Sequence, residues 1–536
     1  MSATASPAIG AVRAPTNKWL VTLSVTFGTL MGAIDASIVN VAIPNLRGAV
    51  GATVEEITWI TTGFALATVI VMPLTAFLGR LFGQKRVYLA SLVLFVIGSA
   101  LCGMARSLET LVVFRVIQGL GAGALQPTEQ AILRQTFPPK EQGMAMALFG
   151  MAVMVGPAIG PTLGGYIVDH YSWPWIFFIN LPVGVLAVFM VTSFVQEPED
   201  IRRANREAAE KMRSHMDWAG IAFLSMGLAT FQYAIEEGNR NDWFDSKLIT
   251  ACIAVAVVMF ALFVIRELTA VAPAVDLSLF KDKVFLSGTL IGGLMFAMLM
   301  AVTFLLPVFM QEVLGFTATQ SGLALMPRTL VMMAATPFVG RLYNKVSPRI
   351  FILFGVLMFS VSAWQMSHYT LETSTSDIVS ALVVQGIAFS CLWVPLTTVA
   401  LSTIPRHKLA DATGSNSLVR QIGASVGLAL FANALSHIVV VAKSSVTPHM
   451  TLLRPEVAAR VDAMTGMLAR DGDMTRAQAA TEGVLNGIAA RQAMVLAFEK
   501  TFMTAGILFL AVLPLLLFLK VDKTQPAAKV DAHVEM

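Results

Sequence analysis

Apolar runs of about 20 residues, each long enough to cross the hydrocarbon core of a bilayer, follow one another along nearly the whole chain. They predict about 14 helices, at residues 19–42, 57–78, 87–105, 110–133, 144–168, 174–195, 218–235, 248–265, 285–310, 321–339, 350–367, 378–401, 418–441 and 501–519. The connections are short except at 196–217 and 443–500. Residues 196–217 mix both charge signs in a pattern that suits a surface helix, and 443–500 is too long for a tight turn; solvated linkers are the alternative for both.

Composition agrees with this pattern. Of 536 residues, 56% are hydrophobic and 13% charged, and the mean hydropathy is +0.72. A soluble domain carries roughly 25% charged residues, so this is an all-α integral membrane protein whose solvent is lipid. The net charge of +4 does not suggest a nucleic-acid partner. Cys102, Cys252 and Cys391 all fall in apolar runs and read as packing residues. The first run is too long for a signal-peptide core and lacks an A-x-A site, so it is expected to be retained.

Basic residues fix an expected orientation, because positive charge stays on the cytoplasmic side. Alternate connections hold Arg80, Lys85, Arg86, Arg134, Lys140, Arg202, Arg203, Arg206, Lys211, Arg213, Arg266, Lys281, Lys283, Arg341, Lys345, Arg349, Arg406 and Lys408. With the termini that side has about 23 basic residues against about four (Arg47, Arg106, Arg240 and Lys247) on the other. Both termini are expected in the cytoplasm, which requires an even number of spans.

An ionisable group at the bilayer centre costs at least about 2.5–3.5 kcal/mol, so each one there is a functional candidate. These are Asp35, Arg115, Glu129, Arg328 and Arg420, with Glu312 and His437 nearer helix ends. Asp35 and Arg115 share a depth of roughly 8–9 Å from one face, so an ion pair can form if their helices are neighbours. An arginine favours the charged carboxylate and its departure favours the protonated one, which makes a proton switch; a static structural pair is the alternative. Arg115, Gln118, Gln126 and Glu129 fall within about 80° on the helical wheel, a polar face that suits a water-filled cavity. Glu129 is a second candidate proton site, or an attraction for a cationic substrate, or a carboxylate snorkelling to water. Asn40, Gln385, Trp393, Asn416 and Arg420 are further candidates for the cavity wall.

Gly156, Gly160 and Gly164 make one bare face in GPAIGPTLGG, and Pro157 and Pro161 add bends. That combination suits a moving joint or a tight static crossing. The chain also repeats weakly: FLGRLFGQKR (77–86) and VGRLYNKVSPR (339–349) each follow a Pro-containing helix, at equivalent points of two six-span halves. No P-loop is present, so direct ATP coupling lacks its usual phosphate cradle and uphill transport would draw on a gradient, with no cofactor required; nothing resembles a metal-ligand set or a nucleophile with its base.

LMGAIDASIVNVAIPNL (30–46), RVIQGLGAGALQP (115–127), GPAIGPTLGGYI (156–167), DWFDSKLI (242–249) and VDLSLFKDKVF (275–285) together resemble the major facilitator superfamily, and within it the 14-helix drug:proton antiporters of the EmrB/QacA type. The resemblance covers nearly the whole chain. It implies a cytoplasmic tail (1–18), a six-helix bundle (19–195), a linker (196–217), two inserted helices (218–265), a second bundle (285–519) containing a periplasmic loop (443–500), and a tail (520–536). It implies proton-coupled export of hydrophobic drugs or toxic organic compounds. Asp35 would take the proton, Arg115 would assist, and the 156–164 glycines and prolines would form the exporter motif. Arg80, Gly83, Lys85 and Arg86 match the loop motif after the second helix, except that Arg80 stands where superfamily members usually carry an aspartate. The resemblance further implies a Gram-negative inner membrane, a membrane-fusion adaptor and an outer-membrane channel. A dedicated exporter of one metabolite, such as an aromatic or fatty acid, remains open, as does, more remotely, a membrane-embedded enzyme or sensor.

Overall fold

The computed structural model describes residues 17–197, 202–203, 217–270, 273, 275–343, 345–405, 408–450, 454–468 and 474–519. Most of the two expected tails, most of the 196–217 linker, and Arg206, Lys211, Arg213 and Arg406 lie outside the described residues, as do the side chains of Pro157 and Pro161.

The long helices are α1 (Lys18–Val50), α2 (Trp59–Phe82), α3 (Gln84–Met104), α4 (Leu108–Thr136), α5 (Gln142–His170), α6 (Asn180–Phe194), α7 (Trp218–Glu237), α8 (Lys247–Thr269), α9 (Lys283–Val308), α10 (Ala318–Leu342), α11 (Pro348–Met366), α12 (Thr375–Val399), α13 (Leu409–Val446), α14 (Pro455–Leu468) and α15 (Met474–Leu510). Among the described residues thirteen segments are long and apolar enough to cross a membrane, and α5, whose apolar stretch Gln142–Gly156 is shorter, makes a fourteenth by its 29-residue length. Local chemistry sets the ends. Gly51 closes α1 in the left-handed conformation at φ 67°, and Gly83 turns α2 into α3 at φ 89°. Reciprocal capping boxes open α4 (Ser107 and Thr110), α10 (Thr317 and Gln320) and α12 (Ser374 and Asp377).

Packing repeats with an offset of eight helices, α15 standing in for the last. The pair α1 with α5 is matched by α9 with α13, α2 with α4 by α10 with α12, and α3 with α6 by α11 with α15. Between the halves, α5 against α10 is matched by α2 against α13. The inserted pair α7 and α8 lies outside this repeat, with α7 against α2 and α13.

Residues 443–500 are largely helical among the described residues: α13 runs 38 residues, α14 covers 455–468, and α15 starts at Met474. At 1.5 Å per residue, α13 is about 57 Å long against a hydrocarbon core of about 30 Å. Polarity marks where the helix leaves lipid, and not where it ends.

Candidate functional site

Asp35 lies in the middle of α1 and is fully buried. Arg115 Nη1 of α4 donates to Asp35 Oδ2 at 2.7 Å, while Gln118 Nε2 and Asn180 Nδ2 each donate to Oδ1 at 2.9 Å. Arg115 Nη1 also reaches Gln118 Oε1 at 2.8 Å, and its Nε donates to the Ile60 carbonyl at 3.2 Å. The guanidinium lies 4.1 Å from the Phe64 ring centroid. Asn180 is oriented in turn by Ser99, whose hydroxyl donates to the Phe177 carbonyl at 2.8 Å. An ionised carboxylate accepts only, so three converging donors fit the charged form. A proton on Asp35 turns an acceptor into a donor and cancels half of the ion pair, so the cluster must rearrange.

The helices meet closely at this point. A Cβ on Gly156 would lie 2.3 Å from the Ala33 carbonyl carbon, and one on Gly160 2.4 Å from Ser37 Cβ. The bare face of α5 therefore rides on the stretch of α1 that carries Asp35, with Gly164 against Ile38.

A cavity of about 250 Å3 adjoins the cluster, lined by Thr29, Asn40, Thr61, Thr68, Arg115, Gln126 and, from the second half, Gln421. The polar face of α4 thus divides. Gln126 faces the cavity, whereas Gln118, expected on the cavity wall, is turned onto Asp35 because the buried carboxylate needs its donor. Glu129 is also fully buried: Oε1 accepts from Thr26 Oγ1 at 3.1 Å and Oε2 has no hydrogen-bond partner among the described residues.

In the second half, Arg328 Nη1 donates to Gln385 Oε1 at 3.3 Å. Arg420 Nη2 donates to Ser417 Oγ at 3.1 Å and Gln130 Oε1 at 3.5 Å, and its guanidinium lies 5.5 Å from the ring centroids of both Phe296 and Trp393. Gln385, Trp393, Asn416 and Arg420 are all buried, and none of them lines the cavity beside Asp35.

Side-chain bonds between the halves gather toward one face, the one on which described residues 17 and 519 lie. Arg80 Nη1 pairs with Asp411 Oδ1 at 2.5 Å, Arg134 Nη1 donates to the Thr398 carbonyl at 3.2 Å, and Trp393 Nε1 donates to the Met146 carbonyl at 3.3 Å. Arg134, counted above as a loop cation, is only 3% exposed inside α4. Lys85 Nζ donates to the Thr192 carbonyl at 2.8 Å, and its backbone amide and the Gly83 turn hold Glu197. The bundle is closed on this face, while Asn40, toward the other, is exposed. Asn180, Ser99 and Asp411 were missed by sequence reasoning: Asn180 is visible as an amide in an apolar run, whereas nothing local marks Asp411 as the partner of Arg80, 331 positions away.

The model of the Major Facilitator Superfamily matches residues 25–428. The chain is 37% identical to "Multidrug export protein EmrB" of Haemophilus influenzae over 412 residues, 77% of this chain and 79% of that one. It is 34% identical to the protein of the same name from Escherichia coli K12 over 504 residues, 94% and 95% of the two chains. Among solved structures, the proton:xylose symporter XylE superposes with a TM-score of 0.57 at 13% identity, covering 92% of this chain and 95% of that one, a likeness of fold alone. The paired half-bundles, the buried acid on the first helix and these matches agree: the chain belongs to the major facilitator superfamily, among its EmrB-type members.

Proposed function

We propose that this protein is a proton-driven exporter of hydrophobic drugs or toxic organic compounds, working from a bacterial inner membrane with its termini in the cytoplasm. The observation that carries the reading is Asp35, a fully buried carboxylate held by three donors from α4 and α6 at the crossing of α1 and α5. Export by relatives of the same length supports the direction of transport.

The cycle follows from this geometry. With the cytoplasmic face closed, a proton entering from the opposite side reaches Asp35 past Arg115, which lines the open cavity. Neutral Asp35 releases Arg115, which then seeks partners in the cavity and weakens the hold on substrate. The α1–α5 crossing is freed to shift, the Arg80–Asp411 contact opens, and the proton leaves toward the cytoplasm as new substrate enters. A membrane-fusion adaptor and an outer-membrane channel belong to this proposal by analogy with EmrB-type pumps, and the helical stretches at 455–468 and 474–500 offer a surface beyond the membrane for them. No cofactor is needed, and no chemistry beyond proton transfer.

Accumulation of a fluorescent hydrophobic dye in cells tests the reading. Cells expressing the wild-type chain should hold less dye, and either a protonophore or Asp35→Asn should remove the difference while the variant remains folded. Full retained export by Asp35→Asn would sink the role of Asp35.

A further inference from the structure

Arg328 and Arg420 are each 4% exposed, and neither has a carboxylate within ion-pair distance among the described residues. Arg328 makes one long hydrogen bond to an amide, and Arg420 leaves Nη1 with no partner. Amides and aromatic faces compensate a buried cation only partly. Arg115, equally buried, has Asp35.

Arg328, Phe296 and Trp393 line a cavity of about 70 Å3, closed by Met300 and Met332 and by Met154 from the first half. A water molecule takes about 30 Å3, so this space suits a small charged group, and the sulfur and ring walls suit an apolar body beside it. The walls come from both halves, so parting the halves would enlarge it.

We propose that this cavity binds the carboxylate or sulfonate of an apolar organic anion, with Arg328 on the headgroup and Arg420 adding charge from against the same two rings. The proposal rests on the export reading and narrows its substrate class. The cation that attracts the anion is distinct from the Asp35 cluster, so one half holds the proton and the other the substrate charge.

The test uses the full chain in nanodiscs of zwitterionic lipid, which removes anionic lipid as a source of the headgroup. Binding of 2-naphthoate, neutral 2-naphthamide, 2-naphthylmethyl-trimethylammonium and chloride is compared by tryptophan quenching and by the thermal midpoint. Naphthoate should bind at least about tenfold more tightly than the amide or the ammonium, the worth of one charge-assisted hydrogen bond. Arg328→Gln and Arg420→Gln should each remove about that factor, and Arg328→Lys should keep most of it. Equal binding of naphthoate and naphthamide by the wild type overturns the proposal, whether or not a variant folds. So does undiminished naphthoate binding in both glutamine variants, or chloride displacing naphthoate at equal concentration, which marks an inorganic anion site. Efflux of Nile red, a neutral dye, by wild-type cells separates the two readings. If the dye is expelled and naphthoate is not preferred, the anion site fails alone; if no probe of any charge is expelled, the export reading fails.

Discussion

The crossing of α1 with α5 and that of α9 with α13 use the same packing device for opposite chemistry. In the first, Gly156 and Gly160 meet Ala33 and Ser37; in the second, a Cβ on Gly423 would lie 2.2 Å from the Gly293 carbonyl oxygen and one on Gly427 2.4 Å from Ala297 Cα. Beside the first crossing an arginine and an aspartate neutralise each other. Beside the second, Arg420 has no carboxylate within ion-pair distance among the described residues. Small residues decide how closely two helices approach whatever lies next to them, so the scaffold can stay symmetric while the charges diverge. A compensated pair presents no net charge to a ligand, whereas an uncompensated cation is suited to capture one.

The comparison breaks most sharply by deletion. Asp35→Ala leaves Arg115 buried without its carboxylate and should cost about 3–5 kcal/mol, whereas Arg328→Met removes a charge with no carboxylate beside it among the described residues and should be neutral or stabilising. Thermal or denaturant unfolding of the purified chain checks the contrast, and equal losses would show that the two sites are not different in kind. Adding Arg115→Gln to Asp35→Asn should recover part of the loss, since the double variant leaves no orphan charge.

The equivalence of the crossings comes next in size. Gly156→Ala and Gly423→Ala should each destabilise by about 1–3 kcal/mol, because the added methyl meets backbone that can only move apart. A loss confined to one of them would show that only one crossing is tight.

Arg80 and Asp411 sharpen the contrast between faces. Arg80→Asp sets two carboxylates together and should open the closed face, read as faster labelling of a cysteine replacing Thr75, which is buried on α2 against Gly414 of α13. The exchange Arg80→Asp with Asp411→Arg should restore closure. If Arg80→Asp leaves labelling unchanged, the pair is no latch.

The smallest effect belongs to Lys408 and Asp276 at the rim, 2.6 Å apart. Burial pushes the Asp276 carboxyl up, but hydrogen bonds from Lys408 and Ser278 together with the Lys408 charge outweigh it and hold the group below its ordinary value. A depressed carboxyl contributes stability that is present above its unfolded pKa and is lost as pH falls through the folded one. The wild type should therefore lose slightly more stability than Asp276→Asn on acidification below about pH 4. Partial exposure keeps the difference under about 1 kcal/mol, and parallel acid curves for the two proteins would remove the claim.

Much of this was legible in the chain. Lipid demands about 20 apolar residues per crossing, so the order of the spans followed from hydropathy, with α5 recognised as a crossing by its length. A charge in lipid is costly, so Asp35, Arg115, Glu129, Arg328 and Arg420 stood out without any structure. Shared depth brought Asp35 and Arg115 together on paper, and the 2.7 Å contact is what that depth allows.

Tertiary structure alone decided which donors completed the site and which buried charges lie away from any carboxylate among the described residues. Gln118 and Asn180 converge on Asp35 only because α4 and α6 flank α1, and helical periodicity within one helix carries no information about its neighbours. The partnership of Arg80 with Asp411, the burial of Arg134 and the place of Arg328 in a cavity walled by both halves depend likewise on how two half-bundles meet. Sequence sets what each residue costs in lipid; only packing sets what is near enough to offset that cost, because ion pairs and hydrogen bonds act over a few ångströms.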